Sequence, residues 1–327
     1  YFDVKKFAEE YPYGEMAKKD LEQLKEEAKS RVEPDDKKKN QYDFALWLDA
    51  EGTNHLMKWN GKFKIEDKLI ETIGYPGWHI ECSVMSQKYL GDEFDIHAGG
   101  KDHIFPHHPN ERAQALAASG KGQAHYWLHN EFIQVEGEKM SKSEGNFYTI
   151  RELLDEGFSG NAIRLYLVSS HYRTETDFSR EGLNKAEKEI RKVRHVVQKI
   201  RKEPGEEYLD LEALENDFME FMDDDLNTAK AKQELMKYVN RANSELDQGH
   251  LLDEEVAEKI EALFMVLGVK VNPQTTPEEE GMADLLVDIR ADARNEADYE
   301  KADMIRDRLQ DLGFELEDSN EDSYWLK

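Results

Sequence analysis

Cysteine is almost missing: the 327 residues contain one, Cys82. One thiol cannot close a disulfide within the chain, which fits a reducing compartment and leaves that thiol free for a metal or for chemistry. No apolar run approaches the roughly 20 residues of a membrane-spanning helix, and no signal peptide is recognisable. Both absences argue against insertion and secretion and for a cytoplasmic protein. Positive charge is also short, with 44 Lys and Arg against 71 Asp and Glu for a net −27. Most of the excess lies in residues 201–327, where 36 acidic side chains face 14 basic ones. Such a load opposes nonspecific nucleic-acid binding. It suits a salt-rich cytoplasm, where surface carboxylates keep their hydration, and equally an acidic interaction face or a solvated helical bundle. The chain does not open on methionine, and Tyr1–Val4 already reads as a strand, so the expectation is a start cut into a longer protein.

The length predicts two or three domains, and 39% hydrophobic with 35% charged residues describes a highly charged globular chain. Residues 1–75 mix strand-like pieces (Tyr1–Val4, Phe44–Leu48) with a charged segment around Leu21–Lys39, the character of an insertion. Residues 76–150 alternate Gly-rich loops, strands and an Ala-rich helix over Glu111–Ser119, as an α/β fold does. From Ile150 onward helices dominate. Ile190, Val193, Val197 and Ile200 recur at helical spacing before Pro204-Gly205, and Ala231, Leu235, Val239, Ala242 and Leu246 form a second stripe. Val256, Ile260, Leu263 and Leu267 form a third, closed by Gly268. Leu286, Ile289 and Ala293, then Ala302, Ile305 and Leu309, complete the seams of a bundle.

Three residues stand out as ligands for one metal. His107 and Glu111 are four apart and share a face if their helix begins by Pro109. With Cys82 they offer an imidazole, a carboxylate and a thiolate, a set that suits zinc. Spacing does not choose between His107 and His108, which precedes Glu111 by three. Lys139–Ser143 reads KMSKS between Gly137 and Gly145, so two lysines, Lys139 and Lys142, sit where they can close on a polyphosphate and offset charge on leaving pyrophosphate. Lys142 is the expected principal phosphate contact. The segment His97-Ala-Gly-Gly-Lys-Asp102 reads as a turn in which Gly99 and Gly100 permit close backbone approach and Asp102 can accept from ribose hydroxyls. Arg191, Lys192, Arg194, Lys199, Arg201 and Lys202 form a basic island on the helix after Asn184, suited to phosphates or to a helix carboxyl end. Trp325, near the last residue, suits base stacking or pinning the terminus.

The run GWHIECSVMSQKYLGDEFDIHAGGKDHIFPHHPNERAQALAASG, followed by YWLHN and GEKMSKSEGNF, resembles the cysteinyl-tRNA synthetases, class I enzymes. HYRTETDFS at 171–179, FMDDDLNTA at 221–229 and ARNEADYEKADMIRDRL at 293–309 continue the likeness over nearly the whole chain. Two departures stand beside it: Ala98 where the family has glycine in HGGG-x-D, and NGKFKIEDKLIETI in place of an SPWG-like segment. The resemblance implies the second half of a Rossmann-like catalytic domain (76–150) with an inserted connective region (1–75), a stem-contact region (151–203) and a helical anticodon-binding bundle (204–327). It implies one zinc per chain on Cys82, His107 and Glu111, with a fourth ligand, a cysteine, upstream of Tyr1. It further implies that Trp78 and His97 line the cysteine pocket, that Gly99, Gly100, Asp102 and Lys142 serve ATP, taken as its Mg2+ complex, and that Trp325 meets the anticodon. The implied activity is ATP-dependent joining of L-cysteine to tRNA through cysteinyl-adenylate, by a cytoplasmic monomer. No HIGH-type sequence is present, so the chain as given is expected to be inactive by itself. A paralogous ligase acting on an amino-sugar would share the metal set and KMSKS, and a non-catalytic tRNA-binding fragment is the third reading.

Overall fold

The computed structural model describes the chain except residues 32–35, 66, 136, 142–144, 208, 272–275, 319–322 and 327. It forms two compact units, Tyr1–Phe132 and Ile133–Lys327.

In the first unit the opening residues are not a strand. Phe2 makes one bridge to Phe44, and Val4–Phe7 is a helical turn because the Asp3 side chain caps it, accepting from the Lys6 N–H. Val4, Phe7, Tyr13, Leu24, Phe44, Phe105 and Ala113 close into a small core that a strand at 1–4 would not make. The charged segment forms the helix Leu21–Arg31. Strands Trp47–Asp49, Lys68–Pro76 and Trp59–Ile65 make an antiparallel sheet with the second of these in the middle. The stretch that departs from the SPWG-like segment is thus a hairpin, paired from Trp59 with Gly74 to Ile65 with Lys68.

The rest of this unit is one βαβ crossover, preceded by the helix Trp78–Leu90. Strand Glu93–Gly100 runs through a 3-10 turn, Lys101–Ile104, into the helix His107–Ser119 and returns as strand Gln123–Asn130. The two strands are parallel, which requires such a crossover, and His97 pairs with Trp127. Gly99 and Gly100 therefore end a strand, and the turn expected over 97–102 begins only at Lys101. Ala98 lies within that strand and is not among the residues of positive φ, so its methyl is accommodated.

In the second unit a three-stranded sheet joins Glu138–Lys139, Ile133–Val135 and Thr176–Phe178. Residues 133–150 fall in the same compact unit as the helices, because Thr176–Phe178 returns to pair with Ile133–Val135. Helix Arg180–Lys202, capped by Ser179, buries Ile190, Val193, Val197 and Ile200 in the same core as Phe218, Leu235, Val239, Ile260 and Phe264. Those partners come from helices Leu211–Asp223, Thr228–Asp247 and Glu254–Val266. Helices Pro277–Asn295 and Tyr299–Asp311 with a terminal hairpin, Glu315–Asp318 and Ser323–Leu326, form a smaller core of Ala283, Val287, Ile305, Leu309, Phe314 and Trp325.

Candidate metal centre and signature loop

Cys82 projects from the helix Trp78–Leu90, and His107 and Glu111 from the first turns of His107–Ser119. One ligand atom from each lies within 4.8 Å of the others. The helix starts two residues before Pro109, so the four-residue spacing does place both side chains on one face. His107 Nε2 stands 2.7 Å from Glu111 Oε1. That approach lies outside hydrogen-bond geometry, and Oε1, on a fully buried carboxylate, has no hydrogen-bond donor. A buried acceptor beside an imidazole and without a donor fits a place among the ligands of one cation. A thiol, an imidazole and a carboxylate around it fit zinc.

The surroundings fix the imidazole. Nδ1 of His107 shares a proton with Nδ1 of His79 at 2.8 Å, leaving Nε2 toward Glu111. Burial, with His107 and His103 adding to it, pushes His79 down to about 4, so His79 is neutral near pH 7. Burial, then the Glu111 and Glu81 carboxylates, push the Cys82 thiol up. A bound dication reverses that sense. The Trp78 ring, 59% exposed, lies 4.2 Å from His107 between centroids.

A second set shares the same carboxylate. His97, His108 and Glu111 also bring one ligand atom each within 4.8 Å, with His97 Nε2 3.5 Å from Glu111 Oε2. His97 stacks on Trp127, and His108 Nδ1 meets His129 Nε2 at 2.8 Å. Burial first, then His97 and His129, push His108 down to about 2, and burial lowers His97. The backbone passes so close here that a Cβ on Gly99 would sit 2.7 Å from His103 Nδ1 and 2.8 Å from His108 Cε1, so only glycine fits. Asp102, exposed in the 3-10 turn, follows directly.

In the second unit Gly137 and Gly145 both take left-handed backbone, at φ 78° and 72°, and bracket the KMSKS segment. The Gly137 N–H donates to Asp177 and the Ser141 N–H to Asn146, while Met140 packs against Val135, Leu153, Ile163, Phe178 and Leu183. Lys139 pairs through its backbone with Gln134. The Lys139 side chain and all of Lys142 lie outside the described residues. Of the basic island, Lys199 pairs with Asp247 at 3.1 Å and Arg201 with Glu261 at 2.7 Å, so part of its charge is spent within the bundle. Trp325, suited in the sequence to base stacking or to pinning the terminus, lies inside the fold. It is 8% exposed, sets its ring edge against Phe314 and donates from Nε1 to Asp284, because it fills the small terminal core.

Several of these contacts had no signal in the sequence. Nothing in PGWHIECS marks His79 as the partner of His107, and Gln123, Asp177 and Asn146 meet their partners only through the fold.

Residues 1–188 match the family model "tRNA synthetases class I (C) catalytic domain", and residues 217–272 match the "DALR domain". The chain belongs to the class I tRNA synthetases. Within them it belongs to the family of the cysteine--tRNA ligases. Those of Carboxydothermus hydrogenoformans and Thermococcus onnurineus are 41% and 39% identical over 344 and 347 residues, taking in 100% of this chain and 70% of each relative. The enzyme of Pyrococcus horikoshii is 40% identical over 347 residues with the same coverage. A solved ternary complex of an Agrobacterium radiobacter LeuRS with tRNA and LeuAMS matches 66% of this chain and 36% of its own, at 14% identity and a TM-score of 0.47, too slight a likeness to bear on the fold.

Proposed function

We propose that this chain serves the ATP-dependent joining of L-cysteine to tRNA, its first unit receiving the amino acid and its signature loop the triphosphate. The observation that carries this is the convergence of Cys82, His107 and Glu111 about a buried carboxylate oxygen without a donor. Zinc held there, one per chain, supplies a soft acceptor for a thiolate, which a serine hydroxyl does not match. Around it, His79 orients His107, Trp78 walls the approach, and His97, stacked on Trp127, stands 3.5 Å from Glu111 Oε2. Asp102, exposed in the 3-10 turn, accepts from the ribose hydroxyls of ATP, and Gly99 and Gly100, at the end of the strand before it, complete the nucleotide-binding segment.

In the activation step the cysteine carboxylate attacks the α-phosphorus, the bond to pyrophosphate breaks, and cysteinyl-adenylate forms. Lys139 and Lys142 stabilise the charge that collects on pyrophosphate, which leaves with its Mg2+. A hydroxyl of the terminal ribose of tRNA then attacks the acyl carbon, the bond to AMP breaks, and the cysteinyl ester of tRNA forms as AMP leaves. No side chain serves as a covalent nucleophile, and catalysis is positioning and electrostatics. The bundle matching the DALR domain supports tRNA as acceptor over an amino-sugar. The working form is a cytoplasmic monomer; no helix among the described residues is long and apolar enough to cross a membrane.

Calorimetric titration of the zinc-loaded chain with L-cysteine and L-serine tests the reading. Cysteine is expected to bind roughly 10²-fold or more tighter, since the wrong substrate leaves the site without its ligand. Chelation is expected to erase the difference. Equal affinities for the two amino acids would overturn the assignment.

A further inference from the structure

Glu111 belongs to two competing sets of ligands, Cys82 with His107 and His97 with His108, and its oxygens face one histidine of each: His107 approaches Oε1 and His97 approaches Oε2. Something must decide which oxygen is offered to a metal. Gln123 sits at that choice. Its Nε2 donates both to Glu111 Oε2, at 3.3 Å, and to Ser86 Oγ, at 2.7 Å. Ser86 Oγ in turn donates to the carbonyl of Cys82, at 2.8 Å. One amide therefore ties together the helix that carries Cys82, the helix that carries Glu111 and the strand that Gln123 begins.

The backbone shows that this placement has a cost. Five non-glycine residues among those described have positive φ: Lys18, Gln123, Asp225, Leu226 and Ala297. Of these Gln123, at φ 73°, is the buried one, 2% exposed. Glycine holds that conformation freely, and Gly122 stands next door, so a glutamine here is retained for its side chain. The amide is committed through its nitrogen alone, since its Oε1 is buried without a hydrogen-bond donor.

We propose that Gln123 is a positioning residue that assigns the two Glu111 oxygens: it occupies Oε2 and leaves Oε1 to the metal, so that the cation is held with Cys82 and His107 and not with His97 and His108. The inference rests on the metal reading above and adds the residue that makes the site select one set over the other. A donor to the second oxygen of a ligating carboxylate fixes its rotation and withdraws that oxygen from coordination.

The test uses the full chain and Zn2+ alone, with affinity read by competition against a chelator of known strength. Gln123→Gly removes the amide while relieving the backbone, which separates loss of the side chain from loss of the fold. Gln123→Leu keeps side-chain bulk and covers the case in which the glycine variant does not fold. Both are expected to bind zinc about 10–100-fold more weakly, the usual effect of losing a partner of a metal ligand. Loaded with Co2+, both are expected to lose thiolate-to-metal charge-transfer absorption relative to the wild type, as the ion moves toward the histidine set. Affinities within about threefold of wild type in both variants, with the thiolate band intact, would overturn the proposal. A wild type that binds zinc no better than Cys82→Ser would instead overturn the metal reading itself, and this inference with it.

Discussion

At the scale of single residues, the two histidines before the carboxylate give the sharpest expectation. His107→Ala and Cys82→Ser are expected to lower the zinc content of the purified chain sharply, whereas His108→Ala, on the other face of Glu111, is expected to leave most of it. Metal analysis by mass spectrometry decides, and loss in His108→Ala alone would move the site to the histidine set. In an enzyme extended to the full length of its relatives, Lys142→Ala is expected to slow cysteine-dependent pyrophosphate exchange by roughly 10²-fold, the scale of one lost transition-state donor, with cysteine binding little changed. A large change in cysteine binding with exchange intact would contradict that role. The three metal candidates were legible because their chemistry is rare and their spacing short: a lone cysteine, and a histidine four before a glutamate. His79 and Gln123 were not. Their contacts span 28 and 12 residues, and a histidine or glutamine means nothing until the fold brings it to a ligand.

At the scale of elements, the helices were readable and the short strands were not. The stripes through 190–200 and 231–246 are buried along one seam, as a 3.6-residue period demands. Tyr1–Val4 misled because four residues carry too little pattern to outweigh a capping aspartate. The pairing between Ile133–Val135 and Thr176–Phe178 was not readable because its partners lie some 40 residues apart in sequence. Two motifs noticed only as family blocks turn out to touch. Arg173 donates to both oxygens of Asp225, and Tyr172 donates to the same carboxylate, tying the HYR segment to the loop before Thr228–Asp247. Arg173 first, then Tyr172, hold Asp225 below its ordinary 3.8. A carboxylate depressed in the folded state contributes stability that is complete above the unfolded value and lost as pH falls through the folded one. Arg173→Ala is therefore expected to lower the melting temperature by about 1–2 °C at neutral pH, the size of one exposed pair, and the gap to wild type should close below pH 3.8. A gap that persists unchanged at pH 2 would assign the effect to packing.

At the scale of the whole molecule, the acidity seen in the composition has a specific address. The helical unit carries most of it on exposed faces of helices whose inner faces form one apolar core. Self-repulsion of that kind weakens as the screening length falls from about 10 Å at 0.1 M salt to roughly 3 Å at 1 M. The melting temperature is expected to rise across that range, and a flat or falling curve would show that the ion pairs, such as Lys232 with Glu189 at 2.6 Å, already balance the load. Tryptophan is distributed as unevenly as charge. Of the five, Trp47, Trp59, Trp78 and Trp127 belong to the first unit, and Trp325 alone belongs to the second. Because Trp325 is buried while Trp59 and Trp78 are about half exposed, its emission is expected on the blue side of the fluorescence band. A chain with the other four changed to phenylalanine would thus shine from one place only, and a red shift of that light would time the undocking of the terminal hairpin without any attached dye.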